Sequence, residues 1–164
     1  MQIFFLTLIL TQFLHAEKFV DAIYKFAYTD TLLAFTSSNI HFRCNVAGIK
    51  TVTDVLNNPQ TNSDCILELV NFQKAVPMQK HSPDMILHNY ITYHVEPIAK
   101  TSCKVMLNAG RSYAQKLLEL GYAKVDEKQK LNLIYMQALK RSQEFAKKEE
   151  AGIWKKKKWQ QCMK

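Results

Sequence analysis

The sequence predicts an α+β fold, in which five short strands curl into one sheet and helices pack on part of it. Two patterns carry this reading. Five segments alternate β-branched or aromatic residues with polar ones between turn residues, and segments of helical period follow the third and fifth of them.

The first strands are Phe19–Tyr24, Thr31–Phe35 and Ile40–Val46, with Thr36-Ser37-Ser38-Asn39 as a hairpin turn. Residues 51–63 are polar and contain Asn57-Asn58-Pro59, which reads as a loop. Asp64 then caps a helix whose apolar face comprises Cys65, Ile66, Leu69, Val70 and Phe72. Pro77 and Pro83 make residues 73–84 a connection outside the core. Tyr90–Val95 and Cys103–Leu107 alternate as strands, and Asn108-Ala109-Gly110 supplies a turn. A helix over Arg111–Leu120 stops at Gly121, which suits a left-handed C-terminal cap. A longer helix starts near Asp126, turns Leu131, Ile134, Ala138 and Phe145 to one side, and ends at Ala151-Gly152. Phe145 and Trp154 read as core anchors.

Residues 1–16 carry no charged side chain and hold the apolar run Ile3–Leu10, too short to span a bilayer. A cleavable export signal ending at Ala16 fits this pattern, with an uncleaved anchor as the alternative because no Lys or Arg precedes the run. Removing 16 of 164 residues leaves 148, the size of one domain. That domain, residues 17–154, is followed by a basic tail over residues 155–164. The expected location is outside the cytoplasm, periplasmic or secreted.

All of the formal charge of +8 lies after the signal. Such an excess favours polyanions, anionic lipid or an acidic protein without choosing among them. Cys44, Cys65, Cys103 and Cys162 lack the spacing of a zinc site and permit two disulfides in any of three connectivities, or buried free thiols. His41, His81, His88 and His94 fall in different elements with no metal-ligand spacing. The chain has neither a Gly-rich phosphate loop nor a nucleophile elbow.

The segment Gly110-Arg111-Ser112-Tyr113-Ala114-Gln115-Lys116-Leu117-Leu118-Glu119-Leu120-Gly121-Tyr122, followed by Lys140-Arg141-Ser142-Gln143-Glu144-Phe145-Ala146-Lys147-Lys148-Glu149 and Gly152-Ile153-Trp154, resembles the last two helices of staphylococcal-nuclease-like (thermonuclease) domains. The resemblance covers most of residues 18–154, with a poor match over 52–89. It implies a five-stranded oligonucleotide-binding-type barrel with three helices, which binds nucleic acid along a strand face and adjoining loops. Active members of such a family hold Ca²⁺ with carboxylates and neutralise the phosphoryl group with two arginines.

Carried onto this sequence, the resemblance puts Asp30-Thr31 at the first metal ligand and Arg43 at the first arginine, with Lys100 as the nearest match to the second. Lys50-Thr51-Val52-Thr53 then stands where the family has two carboxylates, and Lys50 brings a positive charge towards the ion. Asp30 also reads as a turn residue that caps Thr31, and Arg43 as the partner of an acid on the sheet. Lys155, Lys156, Lys157 and Lys158, between Trp154 and Trp159, read either as a clamp on a nucleic-acid backbone or as a solvated, mobile tail whose removal leaves the fold intact.

The leading expectation is an exported binding protein for single-stranded DNA or RNA, or for a protein partner, with little or no catalysis and no cofactor. The first alternative is a working Ca²⁺-dependent endonuclease in which Asp54, Asp64 or Glu68 supplies a displaced carboxylate. The second is a non-catalytic subunit of an envelope assembly.

Overall fold

The computed structural model describes residues 19–107 and 110–163, so the expected export signal and two residues of the turn at 108–110 lie outside the described residues. Among the described residues seven strands run in chain order as β1 Val20–Ala27, β2 Leu32–Ser37, β3 Ile40–Val46, β4 Ile49–Thr51, β5 Thr92–Pro97, β6 Ser102–Met106 and β7 Ala123–Val125. Five of them close into a barrel in the order β1-β2-β3-β6-β5, while β4 and β7 form a separate antiparallel pair. The expected five-stranded barrel is therefore present. Its seam is the parallel pairing of Asn45 and Val46 with Ser102 and Cys103.

Alternation fills the barrel. Tyr24, Leu33, Phe35, Val95 and Val105 point inward and are buried, each contributing about 1.5–3 kcal/mol by leaving water. The β2–β3 hairpin turns at Ser38 and Asn39, both with positive φ, as a two-residue turn compatible with the strand twist requires. Between Tyr24 and Phe26 the β1–β2 register shifts, and the resulting bulge leaves both Lys25 and Phe26 exposed.

Among the described residues the helices, in chain order, are α1 Val52–Leu56, α2 Ser63–Ala75, α3 Ser82–Ile86, α4 Tyr113–Glu119, α5 Leu133–Lys148 and α6 Lys157–Cys162. The α4 helix begins in a capping box of Ser112 and Gln115 and ends ahead of Gly121 at positive φ, close to its expected limits. Beyond the barrel, Val52, Val55, Leu69, Phe72, Ala146, Ile153, Trp154, Trp159 and Met163 form a second core.

Several expectations are corrected. The α2 N-cap is Asn62, whose side chain accepts from the Cys65 amide at 2.8 Å, and not Asp64, which sits in the first turn beside the positive end of the helix dipole. Residues 51–63 hold β4's end and α1 as well as loop. The α5 helix starts only after the Asn132 cap, since the Gln129 side chain is drawn back to the Gly48 amide at 2.8 Å. Its buried stripe is Tyr135, Leu139, Ser142 and Ala146, one position on from Ile134, Ala138 and Phe145. Ile134 and Phe145 are exposed, so Phe145 anchors nothing, whereas Trp154 is buried as expected.

Residues 73–84 are not a mere connection. They finish α2, form a 3-10 turn over Pro77–His81 and enter α3, burying Gln79, Ser82 and Pro83. Nor are residues 155–163 a free tail, because α6 packs on α2 with Trp159 edge-on to Phe72. The cysteines pair as Cys44–Cys103, which joins β3 to β6, and Cys65–Cys162, which joins α2 to α6. Among the described residues no helix is long and apolar enough to cross a membrane.

Candidate functional site

The β1–β2 turn organises one end of the barrel. The Thr29 hydroxyl accepts from the amides of Thr31 and Leu32 at 3.3 and 3.0 Å, so Thr29 and not Asp30 caps this turn. Asp30 is thereby free to point inward, and it is 4% exposed. One of its carboxylate oxygens accepts from the Thr53 hydroxyl and from the Gln79 side-chain amide, each at 2.6 Å. The Tyr113 hydroxyl donates to the Asp30 carbonyl at 2.9 Å, which ties the turn to α4.

Burial pushes the Asp30 carboxyl up to about 6. The hydrogen bonds from Thr53 and Gln79 oppose this shift, and the negative charge of Asp54 adds to it. Asp54 belongs to the α1 capping box, where one oxygen accepts from the Thr51 amide and hydroxyl at 2.7 and 2.8 Å and the other from Thr31 Oγ1 at 3.2 Å. Both acids therefore act as acceptors for protein donors. Ser82 Oγ is buried without a hydrogen-bond partner among the described residues.

A raised carboxyl has a definite consequence for stability. The folded state holds the Asp30 proton up to about pH 6, whereas an unfolded Asp releases it near pH ~3.9. Between these values the folded state binds more protons, so stability should fall as pH rises from about 4 to about 6, by about 3 kcal/mol in all. Asp30→Asn keeps an oxygen for Thr53 and Gln79 but removes the charge. It should flatten that part of the profile and raise stability at neutral pH by about 2 kcal/mol, measured by urea denaturation across the pH range.

Arg43 lies on the outer face of β3 and shows no acid partner among the described residues; its guanidinium carbon sits 4.4 Å above the Tyr28 ring. Tyr28 also meets Phe26 edge-on at 4.9 Å. With Lys25 and His41 these residues line an open cleft of about 370 Å³. Tyr28 forms the wall between this cleft and a second one of about 290 Å³ that reaches Asp30, Thr53, Lys80 and Asp84. Lys100 is exposed in the β5–β6 turn at the same end, where successive amides of Asn45 and Val46 donate to the Thr101 and Thr31 carbonyls at 2.9 and 2.8 Å.

The structure does not gather the remaining candidates here. Lys50 pairs in register with Lys124 and lines a different cleft with Asp126 and Glu127, and the residue that bonds Asp30 is Thr53. Asp64 is on the first turn of α2, and Glu68 pairs with Lys158 of α6 at 3.5 Å. Lys155, Lys156, Lys157 and Lys158 are exposed around α6, while Trp154 and Trp159 are buried and present no face to a base. Of the histidines, His41 bonds Thr36 and His94 pairs with Asp21. Among the described residues no three His, Cys, Asp or Glu side chains form a set able to hold a metal ion.

Sequence reasoning missed Gln79, Tyr28 and Phe26, and it placed Thr53 near the site without assigning it to Asp30. Gln79 left no signal, since its role depends on a contact with Asp30 across 49 residues of chain. The two aromatics were visible as Phe26-Ala27-Tyr28, with the spacing of one strand face.

Residues 74–156 match the family model described as staphylococcal nuclease homologue. No curated protein matches the chain.

Proposed function

The chain belongs to the staphylococcal nuclease homologue family, and on that footing we propose that it is an exported protein that binds single-stranded nucleic acid without calcium-dependent hydrolysis. What carries this reading is a contrast at one barrel end: the Asp30 carboxylate is tied down by Thr53 and Gln79, while the cleft around Tyr28 and Arg43 stands open.

The donor set does not fit a calcium ion. Such an ion takes six to eight oxygens, with several carboxylates among them. Here Asp30 and Asp54 lie near one another and Asp84 borders the same cleft, each already accepts protein hydrogen bonds, and Gln79 directs an amide N–H at the oxygen an ion would use. The open cleft supplies what strand binding requires, a π-face with cations beside it. The excess of basic residues adds long-range attraction to a polyanion.

Digestion of single-stranded DNA and RNA by the purified protein, with Ca²⁺ and then with chelator, tests the catalytic half. No cleavage is expected in either. For the binding half, Tyr28→Ala should weaken affinity by about 1–3 kcal/mol by removing base stacking. Arg43→Ala should lower the slope of log affinity against log salt by about 0.7. Affinity that ignores both substitutions would remove the barrel cleft from the mechanism.

A further inference from the structure

Away from the barrel cleft, β7, α5 and α6 each send a lysine to one concave surface. Lys124, Lys147 and Lys157 line a cleft of about 390 Å³ with Trp154 and the glutamines 143, 160 and 161, and no carboxylate is among its walls. One charge partner is Glu144, which meets Lys147 at 2.6 Å from the exposed face of α5. Lys124 also borders the next cleft, shared with Lys50 and Lys128, so the basic surface continues beyond the first. Of the acids of that second cleft, Asp126 accepts from Gln129 and the Lys128 amide, and Glu127 pairs with Lys140 while its charge is also felt by Lys124 and Lys147.

The cleft is fixed by covalent and packing constraints. The Cys65–Cys162 disulfide and the burial of Trp159 hold α6 on α2, and the Gln160 side chain donates to the Trp154 carbonyl at 2.8 Å. Lys147 Nζ lies 5.1 Å above the Trp154 ring and is oriented by it. Because α6 is locked in place, the backbone that carries Lys157 has little ordering entropy left to lose when a ligand arrives. A single phosphate meets these lysines at one point, whereas a chain of phosphodiesters offers an anion to each in turn.

We infer that this cleft is a second nucleic-acid contact, which takes the sugar–phosphate backbone of the strand whose bases engage the barrel cleft. The inference rests on the binding reading above and adds a surface to it. Lys157 is the one member of the C-terminal lysine run that it uses. The flanking lysines are placed outside the cleft.

The test is the salt dependence of binding to an oligothymidylate of about 20 nucleotides, long enough for more than one site. The triple variant Lys124→Ala/Lys147→Ala/Lys157→Ala should lower the log–log slope by about 2, at about 0.7 for each phosphate no longer neutralised. A control triple, Lys74→Ala/Lys116→Ala/Lys130→Ala, removes the same charge elsewhere and should leave the slope nearly unchanged. Thermal unfolding of both triples verifies that each remains folded. Equal reductions in the two triples would overturn the cleft and leave only general charge. An unchanged slope in the first triple, with binding still weakened in Tyr28→Ala, would overturn the cleft while the barrel reading stands. No binding by the unsubstituted protein would overturn both, as would binding to phosphatidylserine vesicles in place of the oligonucleotide.

Discussion

Deleting residues 155–164 should unfold the protein. The deletion removes Trp159 and Met163 from the second core and breaks the Cys65–Cys162 disulfide. Truncating a buried Trp costs about 3–5 kcal/mol, and losing a disulfide that closes a long loop costs about 2–5 kcal/mol. Their combination rivals the whole stability of an ordinary domain, about 5–15 kcal/mol. The single substitution Trp159→Ala isolates the packing part and should lower the unfolding free energy in urea by about 3–5 kcal/mol. An unchanged midpoint for Trp159→Ala would mean that α6 does not pack as described.

Gly121→Ala and Gly152→Ala should each cost about 3–5 kcal/mol, from left-handed strain added to overpacking. Both glycines have positive φ. A Cβ on Gly121 would stand 2.1 Å from the Ala151 carbonyl oxygen, and one on Gly152 would stand 2.2 Å from the Gly121 oxygen. The two backbones touch here because the Ile153 amide donates to the Gly121 carbonyl at 2.9 Å. This contact joins the end of α4 to the turn after α5 and so links the two cores. Because the strain is shared, the double variant should cost less than the sum of the singles, which denaturant titration of all three proteins measures.

The local part of this structure was legible. The strand over Ile40–Val46 was placed to the residue, since its alternation is strict and its turn residues tolerate positive φ. Gly121 was placed because a left-handed cap has few alternatives to glycine. The family signature likewise lay in short blocks close together in the sequence, over residues 110–122, 140–149 and 152–154.

What was not legible depended on distant contacts. Ile134 and Tyr135 begin equally regular helical stripes, and only the barrel's position selects Tyr135. A lysine run beside a chain end looks solvated until Cys162 is known to pair with Cys65. The site followed the same rule: Asp30 and Arg43 were named from the sequence, but Gln79, which donates to the buried Asp30 carboxylate, came from a segment read as a connection.

The central claim is that Asp30 serves as a buried acceptor and not as a metal ligand. Its most direct test is digestion of single-stranded DNA by the unsubstituted protein and by Asp30→Asn, in Ca²⁺ and in chelator, with binding to the same DNA followed in parallel. The expected result is retained binding by both proteins and no cleavage by either. Calcium-dependent cleavage by the unsubstituted protein that disappears in Asp30→Asn would contradict it.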